Sequence, residues 1–456
     1  MPGSSSSSPR WSIRPRRELL LGLAALAAIG ACRQIEELRE TLEGVTPHER
    51  YADQLRMAGL DATALGRDWL TAAMGSLAAP HPVSLPFQES GYLPAEEATA
   101  VAYRFAARRG EQLDIEVRSD VADTALVFLD LYAASDTGTV EDRIASADSG
   151  TRALRHEIRR DGSYILRVQP ELLRGGRYTV VVRTGPSLTF PVAGRDSRAV
   201  RSYWGATRDG GRRQHEGVDI FAPRGTAVIA AANGYVRRAN TTPIGGKVVW
   251  LRDADRGQSL YYAHLDSQVV TAGMQVRVGD TLGFVGNTGN ARTTPPHLHF
   301  GIYQRGSGAV DPFPFVREVH ERPPRIAADT TSLGRYARVT RAPAPLRVSP
   351  EDRAPQLARL ERFTAVRLLG ASGSWYRVRL PDGRHGWVNA RAMEPALEPV
   401  RRERVAVAAA VLDEPAPVAS VMDSVAAGAS LSVLGSFDDW LLVEAPSGRL
   451  GWVPMD

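Results

Sequence analysis

The sequence predicts a mainly β, multidomain chain, and three observations predict it. Its 456 residues exceed what one core organises, at about 100–200 residues per domain. Beyond residue 80, short runs of alternating apolar and polar residues are separated by glycine turns, the pattern of half-buried strands. Near the C-terminus, one strand–turn–strand pattern occurs twice. The architecture expected is a helical spacer, a β-sandwich, an antiparallel-sheet domain and two small barrels.

Residues 1–32 read as an export signal. The run "LLLGLAALAAIGA", Leu19–Ala31, follows an arginine-bearing lead and is too short to span a membrane. The "IGAC" that ends it resembles a bacterial lipobox, which implies lipidation at Cys32 and a membrane partner held through that anchor. The expected location is the cell envelope, facing the periplasm, on the outer membrane. "RPRRELL" faintly resembles a twin-arginine signal. Cys32 is the only cysteine, so no intramolecular disulfide can staple the fold. The formal charge of +5 falls to +2 once residues 1–31 are removed, which gives no electrostatic case for nucleic acid. Lys247 is the only lysine among the basic residues.

Residues 33–80 read as a helical spacer, with Ile35, Leu38 and Leu42 at helical spacing and Pro80, Pro82 and Pro86 ending the region. Residues 81–187 alternate with period two in "QLDIEVRS", "GSYILRVQ" and "GRYTVVVRT", the signature of an antiparallel sandwich. The stretch "RRDGSYILRV…GGRYTVVV" resembles bacterial pre-peptidase accessory domains. His156 reads as a surface residue there. Residues 188–318 are rich in glycine and strands and hold His215, His264, His297 and His299. Residues 319–337, with "ERPPR" and "DTTS", read as a linker.

Residues 338–396 and 401–456 carry the repeat. "LGASGSWYRVRLPDGRHGWV" aligns without gaps on "LGSFDDWLLVEAPSGRLGWV", matching Trp375 with Trp440 and Gly386-Trp387 with Gly451-Trp452. The pattern resembles bacterial SH3 domains, small barrels that commonly bind cell-wall peptides. Trp375 and Trp440 read as core, Trp387 and Trp452 as either core or ligand-facing. His385 faces Leu450 in the alignment and reads as incidental.

The chemistry concentrates at "TTPPHLHFGI". In a strand, residues i and i+2 share a face, so His297 and His299 project together while Leu298 and Phe300 enter the opposite layer. Two buried imidazoles without partners would cost several kcal/mol, so a site is the cheaper explanation. Upstream, "QHEGVDIFAPRGT" places His215 and Asp219 four apart across Gly217. With His299 they make three ligands, and three protein ligands plus water is the pattern of a catalytic zinc. His264 in "LYYAHLD" and His297 are left as unliganded imidazoles beside it. Glycines 245, 246, 283, 286 and 289 read as loop residues that let a substrate backbone approach closely.

The strings "SYWGATRDGGRRQHEGVDIFAPRGTAVIAAANGYV", "YYAHLD", "GDTLGFVGNTGNARTTPPHLHFGI" and "DPFPF" together resemble the lysostaphin-type (LytM-like) zinc metallopeptidases over about 125 residues. The resemblance implies one zinc per chain on His215, Asp219 and His299, with His264 and His297 as the catalytic histidines. Gly301 departs from the acidic residue many members carry there, and affects no ligand. The implied activity is hydrolysis of peptidoglycan cross-links, at the D-alanyl–meso-diaminopimelate bond in a diderm wall, by a DD-endopeptidase with peptidoglycan as its partner. The alternatives are a catalytically silent wall-binding activator of cell-wall amidases, with an amidase or the divisome as partner, and a general secreted protease.

Overall fold

The computed structural model describes residues 44–120, 125–135 and 137–455, so the segment read as an export signal, Cys32 and the start of the expected spacer lie outside the described residues. The first helix, Pro47–Met57, begins with a reciprocal capping box between Thr46 and Glu49 and a proline in its first turn. The second, Ala64–Ala78, is capped by Thr63, whose hydroxyl accepts from the Gly66 N–H. They do not stand free as a spacer. Trp69 is buried against Phe128 of the sandwich and donates its Nε1–H to the Pro170 carbonyl at 2.9 Å. His48 stacks on Trp69 and hydrogen-bonds Gln169 Oε1 through Nε2 at 2.8 Å. The bulky apolar face that made the helices legible needs a partner, and the sandwich supplies it. Among the described residues no helix is long and apolar enough to cross a membrane.

The sandwich packs two sheets around Tyr103, Leu113, Leu131, Leu166 and Val180. One sheet holds Val101–Ala107, Gly162–Pro170 and Val127–Ala134. The other runs from Ala153–Glu157 through Glu111–Ser119 and Gly176–Pro186 to Phe87–Leu93. It does not end there. Phe87–Leu93 pairs antiparallel with Ala365–Ser372 of the first small barrel, Ser90 opposite Ala371 and Gly91 opposite Gly370. Units that the sequence separates therefore share one sheet. The join is sealed by a buried ion pair, Arg377 Nη2 to Glu89 Oε1 at 2.8 Å, and the Tyr103 and Tyr178 hydroxyls also donate to Glu89.

In both barrels the second tryptophan is the deep one: Trp387 is 0% and Trp452 1% exposed, against 7% for Trp375. The glycine before each lets a neighbouring strand pass. A Cβ on Gly386 would meet the Arg347 carbonyl at 2.9 Å, and one on Gly451 the Leu412 carbonyl at 2.8 Å. The segment read as a linker docks on the first barrel, where Ala327 N–H donates to the Gly373 carbonyl and the Tyr376 hydroxyl to the Asp329 carbonyl.

Between sandwich and linker lies the histidine-bearing domain. Its sheet runs Val200–Ser202, Val218–Phe221, His297–Gln304, Gln258–Gln268, Gly246–Asp253, Gly234–Thr242. Val218, Ile220, Leu260, Tyr262, Leu298 and Phe300 face its core. The strand His297–Gln304 is central, so its opposite face is where neighbouring strands can bring side chains together.

Candidate metal centre and groove

Register builds the centre. Asp219 lies directly opposite His299 across the antiparallel pair. His215 enters from the turn before that strand, where its N–H donates to the Ala206 carbonyl at 2.9 Å. The three candidate ligand atoms converge: His215 Nε2 to Asp219 Oδ1 is 3.0 Å, His215 Nε2 to His299 Nδ1 is 3.0 Å, and His299 Nδ1 to Asp219 Oδ1 is 3.1 Å. A tetrahedral zinc with bonds of about 2.0–2.1 Å sets its ligands about 3.3 Å apart, so the triangle fits with small adjustment. The donor chemistry agrees. The Tyr203 carbonyl takes the His215 Nδ1 proton at 2.9 Å, which leaves Nε2 a lone pair facing a carboxylate and a second imidazole. Three electron-rich atoms held together are stabilised by a cation at their centre. Among the described residues they form the one cluster able to hold a metal ion.

Asp219 is the charged member. Burial works against its charge, but its close contacts with His215 and His299 hold its carboxyl well below the usual range. Burial, opposed by Asp219, lowers the His299 pKa.

His264 and His297 complete the site. His264 sits on a bulge in Gln258–Gln268 with φ +62°, a conformation rare for a residue other than glycine. Its N–H donates to the Gly245 carbonyl and its Nδ1–H to the Thr288 carbonyl, each anchoring the turned backbone. His297 donates Nδ1–H to the Pro295 carbonyl at 2.9 Å and stacks on Phe221. Both rings thus keep Nε2 for the groove, and their centroids are 5.1 Å apart. Burial first, then the charges of His297 and His299, push the His264 pKa down to about 4, so it is neutral at pH 7 with a lone pair available.

The groove has a volume of about 750 Å³ and runs past all five predicted residues. Trp250, Tyr261 and Tyr303 form an aromatic wall, with Trp250 4.4 Å from Tyr261 and 5.1 Å from Tyr303 between centroids. The glycines have a different use from the one expected. Cβ atoms on Gly246 and Gly286 would fall 2.5 Å from Gly289 N and 2.7 Å from Asp266 Cα, so these glycines pack chain against chain. Of the five, Gly245 alone borders the groove.

Two contributors escaped sequence reasoning. Arg208 donates from Nη2 to Asp219 Oδ2 at 2.7 Å and to Ser202 Oγ at 2.6 Å, leaving Asp219 Oδ1 for the metal. It lies on the short hairpin Thr207–Arg208 and Arg213–Gln214, and no periodicity marks it. Gly217 is visible in the sequence but its reason is not: a Cβ there would lie 2.8 Å from His299 Nε2 and 2.6 Å from the Phe300 carbonyl.

Comparison with known proteins matches the segment that holds Asp219 and the four histidines. Residues 213–312 match Peptidase family M23, and residues 342–394 match the bacterial SH3 domain. An L-Ala--D-Glu endopeptidase of Bacillus subtilis is 37% identical over 139 residues, 28% of this chain and 42% of that protein. Peptidoglycan DD-endopeptidase ShyC of Vibrio cholerae is 35% identical over 94 residues, 21% of each chain. The match thus spans less than half the length of either relative. Among solved structures, the lysostaphin catalytic domain of Staphylococcus simulans is 33% identical, covering 26% of this chain and 90% of that one, with a TM-score of 0.24.

Proposed function

From a family M23 peptidase domain and a bacterial SH3 domain on one chain, we propose a zinc-dependent endopeptidase that hydrolyses peptide cross-links of peptidoglycan. The observation that carries this reading is the convergence of His215, Asp219 and His299 on one point beside two unliganded imidazoles. Zinc at that point would supply Lewis-acid polarisation of the scissile carbonyl and a water of lowered pKa. The chain's own residues do the rest. The groove orients an extended peptide against the aromatic wall. His264 and His297, each presenting Nε2, accept the proton of the attacking water and return it to the leaving amine, and a protonated imidazole stabilises the developing oxyanion. Their anchored Nδ1 atoms keep both rings in place while this happens.

The bond we assign is D-alanyl–meso-diaminopimelate, in keeping with the DD-endopeptidase among the relatives. We further propose that Cys32 carries a lipid anchor, that the chain faces the periplasm from the outer membrane, and that the barrels hold it on the wall. A cell-wall amidase or the divisome is the protein partner we assign, in keeping with a cell division protein of Caulobacter vibrioides among the relatives.

The test is digestion of cross-linked muropeptide dimers by the zinc-loaded chain, followed by chromatography. Dimers are expected to become monomers, with loss of at least about a hundred-fold in His297→Ala or after zinc chelation. Intact dimers together with stimulation of an added amidase would replace this reading by that of a silent activator.

A further inference from the structure

A second cleft, of about 980 Å³, opens between the sandwich and the metal-bearing domain. The sandwich contributes Arg108, Arg109 and Asp161, and the metal-bearing domain contributes Trp204, Ser307 and Asp311. Trp204 is half-buried, and among the described residues its ring has no aromatic partner and its indole N–H no acceptor. Arg109 Nε is buried without a hydrogen-bond partner, and neither the Arg108 nor the Arg109 guanidinium forms an ion pair among the described residues. Asp161 Oδ1 accepts the Arg109 N–H at 2.8 Å and Asp311 Oδ1 the Phe313 N–H at 3.0 Å, which leaves the second oxygen of each carboxylate for a ligand.

Arg109 Nε is the unusual member, because a buried donor without a partner is costly, whereas Arg108 and Asp161 are exposed at the mouth of the cleft. Three carboxylates, Asp161, Asp311 and Glu111, whose Oε2 accepts the Arg108 N–H, stand beside two guanidiniums, so acceptors and donors alternate along the cleft. They suit a neutral ligand rich in groups that both donate and accept, with hydroxyls and amides given to the carboxylates and taken from the guanidiniums. A flat, partly open indole adds a surface for an apolar ligand face, with a polar N–H at its edge. A saccharide bearing acetamido groups has all these properties.

We propose that this cleft binds the N-acetylated glycan strand of peptidoglycan while the attached peptide occupies the catalytic groove, an inference that rests on the endopeptidase reading. One chain segment divides the two openings. Ser202 and Arg208 border the groove and Trp204 borders the cleft. Ser202 and Trp204 are two residues apart, so their Cα atoms are separated by about 7 Å at most. A polymer whose peptides branch from a sugar chain needs two such adjoining sites. The sandwich then takes part in substrate binding as well as in spacing the domains.

The test compares glycan-bearing cross-linked peptidoglycan with the free cross-linked peptide dimer, using the full zinc-loaded chain. Trp204→Ala and Arg108→Ala are each expected to slow cleavage of the glycan-bearing substrate about ten-fold while leaving the free dimer within about two-fold. Titration with an N-acetylglucosamine tetrasaccharide is expected to quench tryptophan fluorescence in the wild type and not in Trp204→Ala. Equal losses on both substrates, or no loss on either, overturn the glycan site, as does a tetrasaccharide that leaves the wild-type fluorescence unchanged. Failure of the wild type to cut the free dimer sinks the endopeptidase reading instead, and the saccharide titration still decides the cleft.

Discussion

At the scale of single residues, the candidate metal centre depends on two groups outside the His215, Asp219 and His299 cluster. Gly217 makes room: with a Cβ only 2.8 Å from His299 Nε2, the ring and its strand must move. Gly217→Ala is expected to weaken zinc binding at least about ten-fold while circular dichroism stays native, and zinc content after dialysis measures it. Arg208 holds the distal oxygen of Asp219. Its removal in Arg208→Ala frees the carboxylate to rotate, and zinc affinity is expected to fall about 10–100-fold, read by competition with a chromophoric chelator. Equal zinc affinity in the variant would show that burial alone holds Asp219. The candidate ligands themselves were legible because "HEGVD" and "HLHF" carry strand-period and metal chemistry on their face. Arg208 was not, since its role exists only once a hairpin folds back over Asp219.

At the scale of elements, histidine burial couples the helices to pH. His48, on the first helix, has its pKa pushed down to about 4, first by burial and then by the charge of Arg167. The unfolded chain, with an ordinary histidine near 6.5, binds more protons between those values. The stabilisation is therefore complete above pH 6.5 and is lost as pH falls towards 4. Undocking of the helices is expected to become easier by on the order of 1–3 kcal/mol across that window, and His48→Gln should flatten the slope. Protease sensitivity of the helical segment at pH 7.5 and 5 measures it. A slope identical in wild type and variant would assign the effect elsewhere. The helices themselves were readable from spacing. Their docking was not, because a periodic apolar face announces that a partner exists without naming it. The bulge at His264 was hidden likewise: alternation predicts a continuous strand, and positive φ leaves no mark on the sequence.

At the scale of the whole molecule, the sandwich and the first barrel act as one body through a shared sheet and the Glu89–Arg377 pair. Both side chains are buried, so removing one partner strands a charge. Glu89→Gln or Arg377→Met is expected to destabilise this body by about 3–5 kcal/mol, and the double variant is expected to recover much of it, as chemical unfolding would report. Additive losses in the double variant would mean that the pair does not couple the modules. On the function proposed above, a barrel fused in this way would fix the direction from which the groove meets its substrate.

The sequence by itself determined the β class, the internal repeat and the five residues that line one groove. Each is written in local pattern: period two, turn residues, and histidines where a strand would take valine. The tertiary structure decided what local pattern cannot carry. It joined the sandwich to the barrel, docked the helices, turned the backbone at His264, brought Arg208 to Asp219 and opened a cleft beside Trp204. These follow from contacts between residues from 11 to 288 positions apart, whose energies depend on packing and register.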